Sequence, residues 1–118
     1  MSQIDQDALD NVRALQRPGS PNILARIIAI YVDQAPESVE AILQAVAEQD
    51  FETIRTTAHS LKSSSTYVGA NDFAARMANI EKAARDERIA ICEQLSDGIT
   101  EQCHKVVSEL LYMKDRAA

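Results

Sequence analysis

Apolar residues recur along this chain at gaps of three and four, the spacing that lines one face of an α-helix. Ile4, Ala8, Val12 and Leu15 mark a short first helix, closed by the breaker Arg17-Pro18-Gly19-Ser20-Pro21. Ser20 reads as an N-cap and Pro21 as the first position of a second helix. Ile23, Leu24, Ile27, Ile28, Tyr31, Val32 and Ala35 then make a broad apolar face. Pro36 is expected to kink this helix, because proline removes a backbone donor and crowds the preceding turn. The stripe resumes through Val39, Ile42, Leu43 and Val46.

Asp50 is placed to cap a third helix, with Phe51, Ile54, Ala58, Leu61 and Ser65 or Val68 facing inward and Gly69 ending it. Asn71 or Asp72 would cap the fourth, which turns Phe73, Met77, Ile80 and Ala84 to the core. A charged turn, Arg85-Asp86-Glu87-Arg88, leads to Ile89, Cys92, Leu95, Ile99, Cys103, Val106, Leu110 and Met113, read as one last helix. No segment alternates with the period of two that a half-buried strand needs. The expected fold is all-α: an antiparallel up-down-up-down four-helix bundle with a short additional N-terminal helix capping one end. Residues 1–118 are read as a single domain.

Charge and composition narrow the function. The net charge of −6 argues against non-specific nucleic-acid binding and against docking on an anionic membrane. Aromatics are few and tryptophan is absent, so platforms for stacking bases are not expected. Cys92 and Cys103 lack a CxxC spacing or a wider ligand set and read as reduced thiols, a disulfide or metal pair being the minor alternative. The acidic, amphipathic N-terminus has no apolar run for a signal peptide, and nothing approaches the ~20 apolar residues of a membrane span. A cytoplasmic, monomeric protein is expected.

Candidate chemistry centres on one of the two histidines. On a helical wheel Phe51, Ile54, Ala58, Leu61 and Ser65 fall within roughly 80° of one another, and His59 lies roughly 130° from their centre. His59 should therefore face solvent, ringed by Arg55, Thr56, Lys62 and Ser63, its neighbours three and four residues away. Two readings stay open: a solvated surface histidine, or an imidazole that carries an anion. The run Ser63-Ser64-Ser65 is small enough to let another protein's loop approach. The second histidine, His104, follows Glu101 at the Glu-x-x-His spacing of a di-metal bundle site. Thr56 stands where the matching glutamate would precede His59, so a metal site is not expected.

His59-Ser60-Leu61-Lys62-Ser63-Ser64, followed by Gly69-Ala70, resembles the signature of the histidine phosphotransfer (HPt) domains of two-component phosphorelays. That pattern runs His-x-Leu-Lys-Gly-Ser-Ser, then a short spacer, then Gly-Ala. The similarity extends over most of the chain, through Ile4-Asp5, Leu15 to Gly19, the second helix and Ile80-Glu81. The resemblance implies a phosphoryl carrier rather than an enzyme, shuttling phosphate through His59 between receiver-domain aspartates. Its partners would be response-regulator receivers and a hybrid sensor histidine kinase. No cofactor is implied in this chain, the Mg²⁺ and the acidic pocket belonging to the receiver. Glu81 matches the family's Nδ1 acceptor, although a surface ion pair with Arg85, its i+4 neighbour, is the alternative. Lys62 would neutralise the phosphoryl oxygens. Docking is expected on Arg55, Ser63 and Thr66, with apolar contacts from Ile28 or Tyr31 of the second helix. Ser63 replaces the usual glycine, so a partner would meet a slightly larger side chain there. The rival reading is a non-catalytic helical adaptor in which His59 is incidental. A sensor kinase core fails on length, since no Gly-rich ATP-binding region follows the helices.

Overall fold

A computed structural model describes residues 2–15 and 22–117, which form six α-helices and no strand. They are α1 (Gln6–Arg13), α2 (Ile23–Glu48), α3 (Phe51–Tyr67), α4 (Asn71–Arg85), α5 (Ile89–Ser96) and α6 (Ile99–Ala117). Packing runs as a ring, α2 on α3, α3 on α4, α4 on α5 and α6 back on α2. The four-helix bundle expected from the apolar stripes is thus present, with α5 and α6 sharing the fourth side. Its interior is filled by Ile28, Ile42, Ile54, Phe73, Met77, Ile80, Ile99 and Leu110, all essentially inaccessible to water.

Capping explains where several helices begin. Asp50 accepts from the Thr53 amide at 3.1 Å, satisfying one of the free donors at the start of α3. The breaker at 17–21 and the expected cap Ser20 lie outside the described residues. Within them, Asn22 caps α2 through a 3.0 Å bond from the Ala25 amide. The α2 helix then runs unbroken through Pro36, with Ala35 and Val39 buried on either side. The cap of α4 is Ala70, not Asn71 or Asp72; Asn71 is the first helical residue and its side-chain Nδ2 donates instead to Asp5 Oδ2 at 3.1 Å.

Three further expectations are corrected. The last apolar stripe is broken at Asp97-Gly98, where Gly98 takes φ +78°, a backbone region that costs residues with a Cβ. Arg76 stabilises the break by donating Nε to the Leu95 carbonyl at 2.8 Å and Nη2 to that of Asp97. In α1 the inward residues are Leu9 and Val12, whereas Ala8 is half-buried and Leu15 is exposed. Leu43, assigned to the α2 stripe, also reaches solvent.

Gly69 ends the α3 region with φ +82°. A Cβ there would lie 2.6 Å from the Asp5 carbonyl oxygen, closer than real Cβ atoms come. Asp5 donates its own amide to the Gly69 carbonyl at 2.7 Å. A glycine is therefore required twice over, by its backbone angle and by the strand of chain laid against it.

Candidate functional site

His59 stands on the outer side of α3 with 57% of its side chain exposed. Facing it from α4 is Glu81, whose side chain is only 7% exposed. Glu81 sits one residue after the fully buried Ile80, so its stem lies in the α3–α4 seam while its carboxylate reaches the seam's edge. There Oε2 lies 2.8 Å from His59 Nδ1, and Oε1 accepts from Lys62 Nζ at 2.9 Å. Arg85, one turn further along α4, donates Nη2 to the same Oε2 at 3.3 Å. The two roles weighed for Glu81 therefore coexist: it bonds the imidazole and it pairs with Arg85.

Burial raises the Glu81 carboxyl, but hydrogen bonds from Lys62 and His59, together with their charge, outweigh it and hold the group below the ordinary glutamate range. Glu81 is thus a carboxylate at neutral pH. An ionised carboxylate only accepts, so Nδ1 carries the ring proton and the lone pair of a neutral imidazole is left on Nε2.

The hydroxyls expected beside His59, those of Thr56 and Ser63 in its ring and of Thr66 on the docking side, bond to carbonyls of their own helix. Thr56 Oγ1 donates to the Glu52 carbonyl at 3.0 Å, Ser63 Oγ to that of His59 at 3.2 Å and Thr66 Oγ1 to that of Lys62 at 2.9 Å. Bonded back to their own helix, these short side chains spend their donors on α3 rather than on the imidazole. Arg55 is half-buried one turn before it. The serine run divides in two: Ser63 and Ser64 are exposed and bonded to their own turn, whereas Ser65 is buried and lies 2.7 Å from the Tyr31 hydroxyl.

That last contact corrects the expected docking surface. Ile28 and Tyr31 are 0% and 3% exposed, because the face of α2 that carries them is the one packed into the bundle. Burial also raises the Tyr31 hydroxyl pKa well above its usual value. Neither residue can offer an apolar contact to a partner. What does border Ser63 and Thr66 is an open groove of about 330 Å³ between α3 and α1, lined also by Ala8, Asn11, Val12, Leu15 and Tyr67. Tyr67 is 50% exposed and Leu15 57%. Sequence reasoning reached Ser63 and Thr66 but missed the α1 wall and Tyr67; the signal for Tyr67 was that, like His59, it falls off the α3 core positions.

Elsewhere the candidate chemistry is sparse. His104 is exposed and Cys92 and Cys103 are buried free thiols, that of Cys103 pushed up to about 11 by burial. Among the described residues no three His, Cys, Asp or Glu side chains gather as a metal site, and no helix is long and apolar enough to cross a membrane.

Comparison with known proteins gives this geometry a family. Residues 26–111 match the model of the Hpt domain. No curated protein matches the chain. Among solved structures it is similar to the histidine-containing phosphotransfer protein B (HptB) of Pseudomonas aeruginosa PAO1, with a TM-score of 0.85 over 97% of this chain and 96% of that one. At 19% identity that likeness is one of fold. The family match spans most of the bundle and includes the α3–α4 pair that carries His59 and Glu81, and by it the chain belongs to the Hpt domain family, the histidine phosphotransfer proteins of phosphorelays.

Proposed function

We propose that His59 is the phosphoryl carrier, taking phosphate from an aspartyl phosphate on one receiver domain and handing it to the aspartate of another. The observation that carries this reading is the 2.8 Å bond between His59 Nδ1 and the ionised Glu81. It holds the ring in the tautomer that presents a lone pair outward on Nε2. As Nε2 forms its bond to phosphorus, the bond from phosphorus to the donor aspartate's oxygen breaks, and that aspartate leaves as a carboxylate. No proton has to move, because Nδ1–H stays in place and the phosphorylated ring carries the positive charge. Glu81 then faces an imidazolium, so the bond strengthens as transfer proceeds. Lys62, held beside the ring by Glu81, has N–H donors to spare for the phosphoryl oxygens.

The receiver is read as docking over the α1–α3 groove. Ser63 and Thr66, one and two turns beyond His59, form its near wall, and exposed Leu15 and Tyr67 supply apolar contact. The Mg²⁺ for the receiver's half of the reaction would come with the receiver, which makes this chain a carrier rather than an enzyme. A hybrid sensor kinase is the expected source of phosphate, and the cytoplasm the expected compartment.

Incubation with a phosphorylated receiver from the same source tests the reading. Acid-labile, base-stable phosphate should appear on the wild-type chain and not on His59→Gln. The substitution leaves folding intact, because a side chain more than half exposed contributes little to stability. Labelling of His59→Gln at the wild-type rate would make the histidine incidental, as in an adaptor.

A further inference from the structure

Residues 2–5 form a strap fastened at both ends. Ser2 Oγ donates to Glu109 Oε1 on α6, and the Gln3 amide donates to Oε2 at 2.7 Å. Ile4 is buried between these ties and the next. Asp5 then makes three contacts at once. Its amide donates to the Gly69 carbonyl at 2.7 Å, its Oδ2 accepts from Asn71 Nδ2 at 3.1 Å, and its Oδ1 accepts from the Asp7 amide at 2.9 Å. One residue thus both caps α1 and ties the start of that helix to the turn between α3 and α4.

The tie matters because α1 spans only eight residues, Gln6–Arg13, too short to persist on its own propensity. Its position is set by the strap and by burial of Leu9 and Val12. Ala8, Asn11 and Val12 of this helix make the far wall of the groove whose near wall is Ser63, Thr66 and Tyr67. Gly69 touches both parts: a Cβ on it would meet the Asp5 carbonyl at 2.6 Å and Ala8 Cβ at 3.2 Å.

We propose that Asp5 and Gly69 are positioning residues for receiver docking, the clasp between them setting the α1 wall of the groove and hence the affinity for the receiver, without acting on the transfer chemistry. The inference rests on the reading of the groove as the docking face. The Gly-Ala pair that ends α3 is then more than a helix stop. When a binding-competent arrangement is populated only part of the time, apparent affinity falls by that fraction.

The test compares two phosphate donors on the full chain. Asp5→Ala removes the cap and the Asn71 tie but leaves the Gly69 backbone free of strain. The receiver concentration giving half-maximal transfer should rise about tenfold, as expected for an α1 seated about a tenth of the time. The limiting rate at saturating receiver should be unchanged, as should labelling of His59 by a small phosphoramidate donor that needs no groove. Amide exchange at Leu9 and Val12 should quicken, reporting the loosened helix. Gly69→Ala should act in the same way, and if it does not fold, Asp5→Ala and Glu109→Ala decide the matter. Two results would overturn the inference alone: loosened α1 amides with receiver half-saturation within about twofold of wild type, or equal slowing with both donors. A wild-type chain that takes phosphate from phosphoramidate but from no receiver would sink the docking reading, and this inference with it.

Discussion

Replacement of Glu81 is the sharpest probe of the site, because one carboxylate orients the imidazole, neutralises Lys62 and is itself almost fully buried. In Glu81→Ala the ring loses its 2.8 Å acceptor, and Nε2 is no longer held toward solvent in one tautomer. A hydrogen bond to a charged partner contributes about 1.5–3 kcal/mol. The imidazole is 57% exposed, so screening takes the contribution toward the lower end, about 1–2 kcal/mol. At 1.36 kcal/mol per decade this slows transfer by about 5- to 30-fold. Glu81→Gln keeps an amide oxygen that can accept from Nδ1 but loses the charge that opposes the developing imidazolium, so its rate should fall between those of wild type and alanine. The assay is single-turnover transfer from a phosphorylated receiver at saturating concentration, which removes docking from the comparison. Folding should survive both changes, since Lys62 and Arg85, 32% and 61% exposed, can turn to water when their partner goes. A wild-type rate for Glu81→Ala at saturation would remove the Nδ1 bond from the mechanism, and an alanine variant faster than the glutamine one would reverse its electrostatic logic.

Other outcomes follow from the same geometry. Tyr31→Phe strips the buried Ser65 hydroxyl of its 2.7 Å partner and should lower stability by about 1–3 kcal/mol in urea titration, with phosphotransfer unchanged. Slowed transfer at full stability would return Tyr31 to the docking face. Ser63→Trp should abolish transfer by filling the groove next to His59 while helical circular dichroism is retained, and Ser63→Gly should transfer normally; full activity of the tryptophan variant would move docking elsewhere. Because the folded-state pKa of Glu81 is depressed, the stability it lends is complete above the ordinary glutamate value of about 4.3 and is lost as pH falls through the lower folded value. The gap in urea midpoint between wild type and Glu81→Gln should hence close as the pH falls below the ordinary glutamate value of about 4.3; a gap that widens on acidification below that value contradicts the sign.

The helices themselves were legible in the sequence, because a gap of three or four between apolar residues is a local property of the chain. So was the exposure of His59, which follows from its angle to Ile54, Ala58 and Leu61 on one helix. The same local information failed wherever the outcome depended on a second element. The stripe through Leu95, Ile99 and Cys103 keeps its spacing across Asp97-Gly98, so periodicity alone could not reveal two helices there; the φ of Gly98 and the reach of Arg76 decided it. Leu9 rather than Ala8 turns inward because of where α1 lies on the bundle.

For the site, the sequence by itself determined the chemistry: a lone off-core imidazole, a lysine one turn on, a run of small hydroxyl residues and a carboxylate on the following helix. Tertiary structure alone decided how these meet. It joined Glu81 to His59, Lys62 and Arg85 together, where the sequence allowed a choice between a partner on its own helix and one on the helix before it. It turned Tyr31 and Ser65 toward each other inside the bundle and laid α1 beside Ser63. The physical reason is common to all of these. A helical wheel tells which side of one helix is apolar, but which apolar sides are covered, and by what, is settled by contacts between residues distant in the chain, such as Asp5 with Gly69.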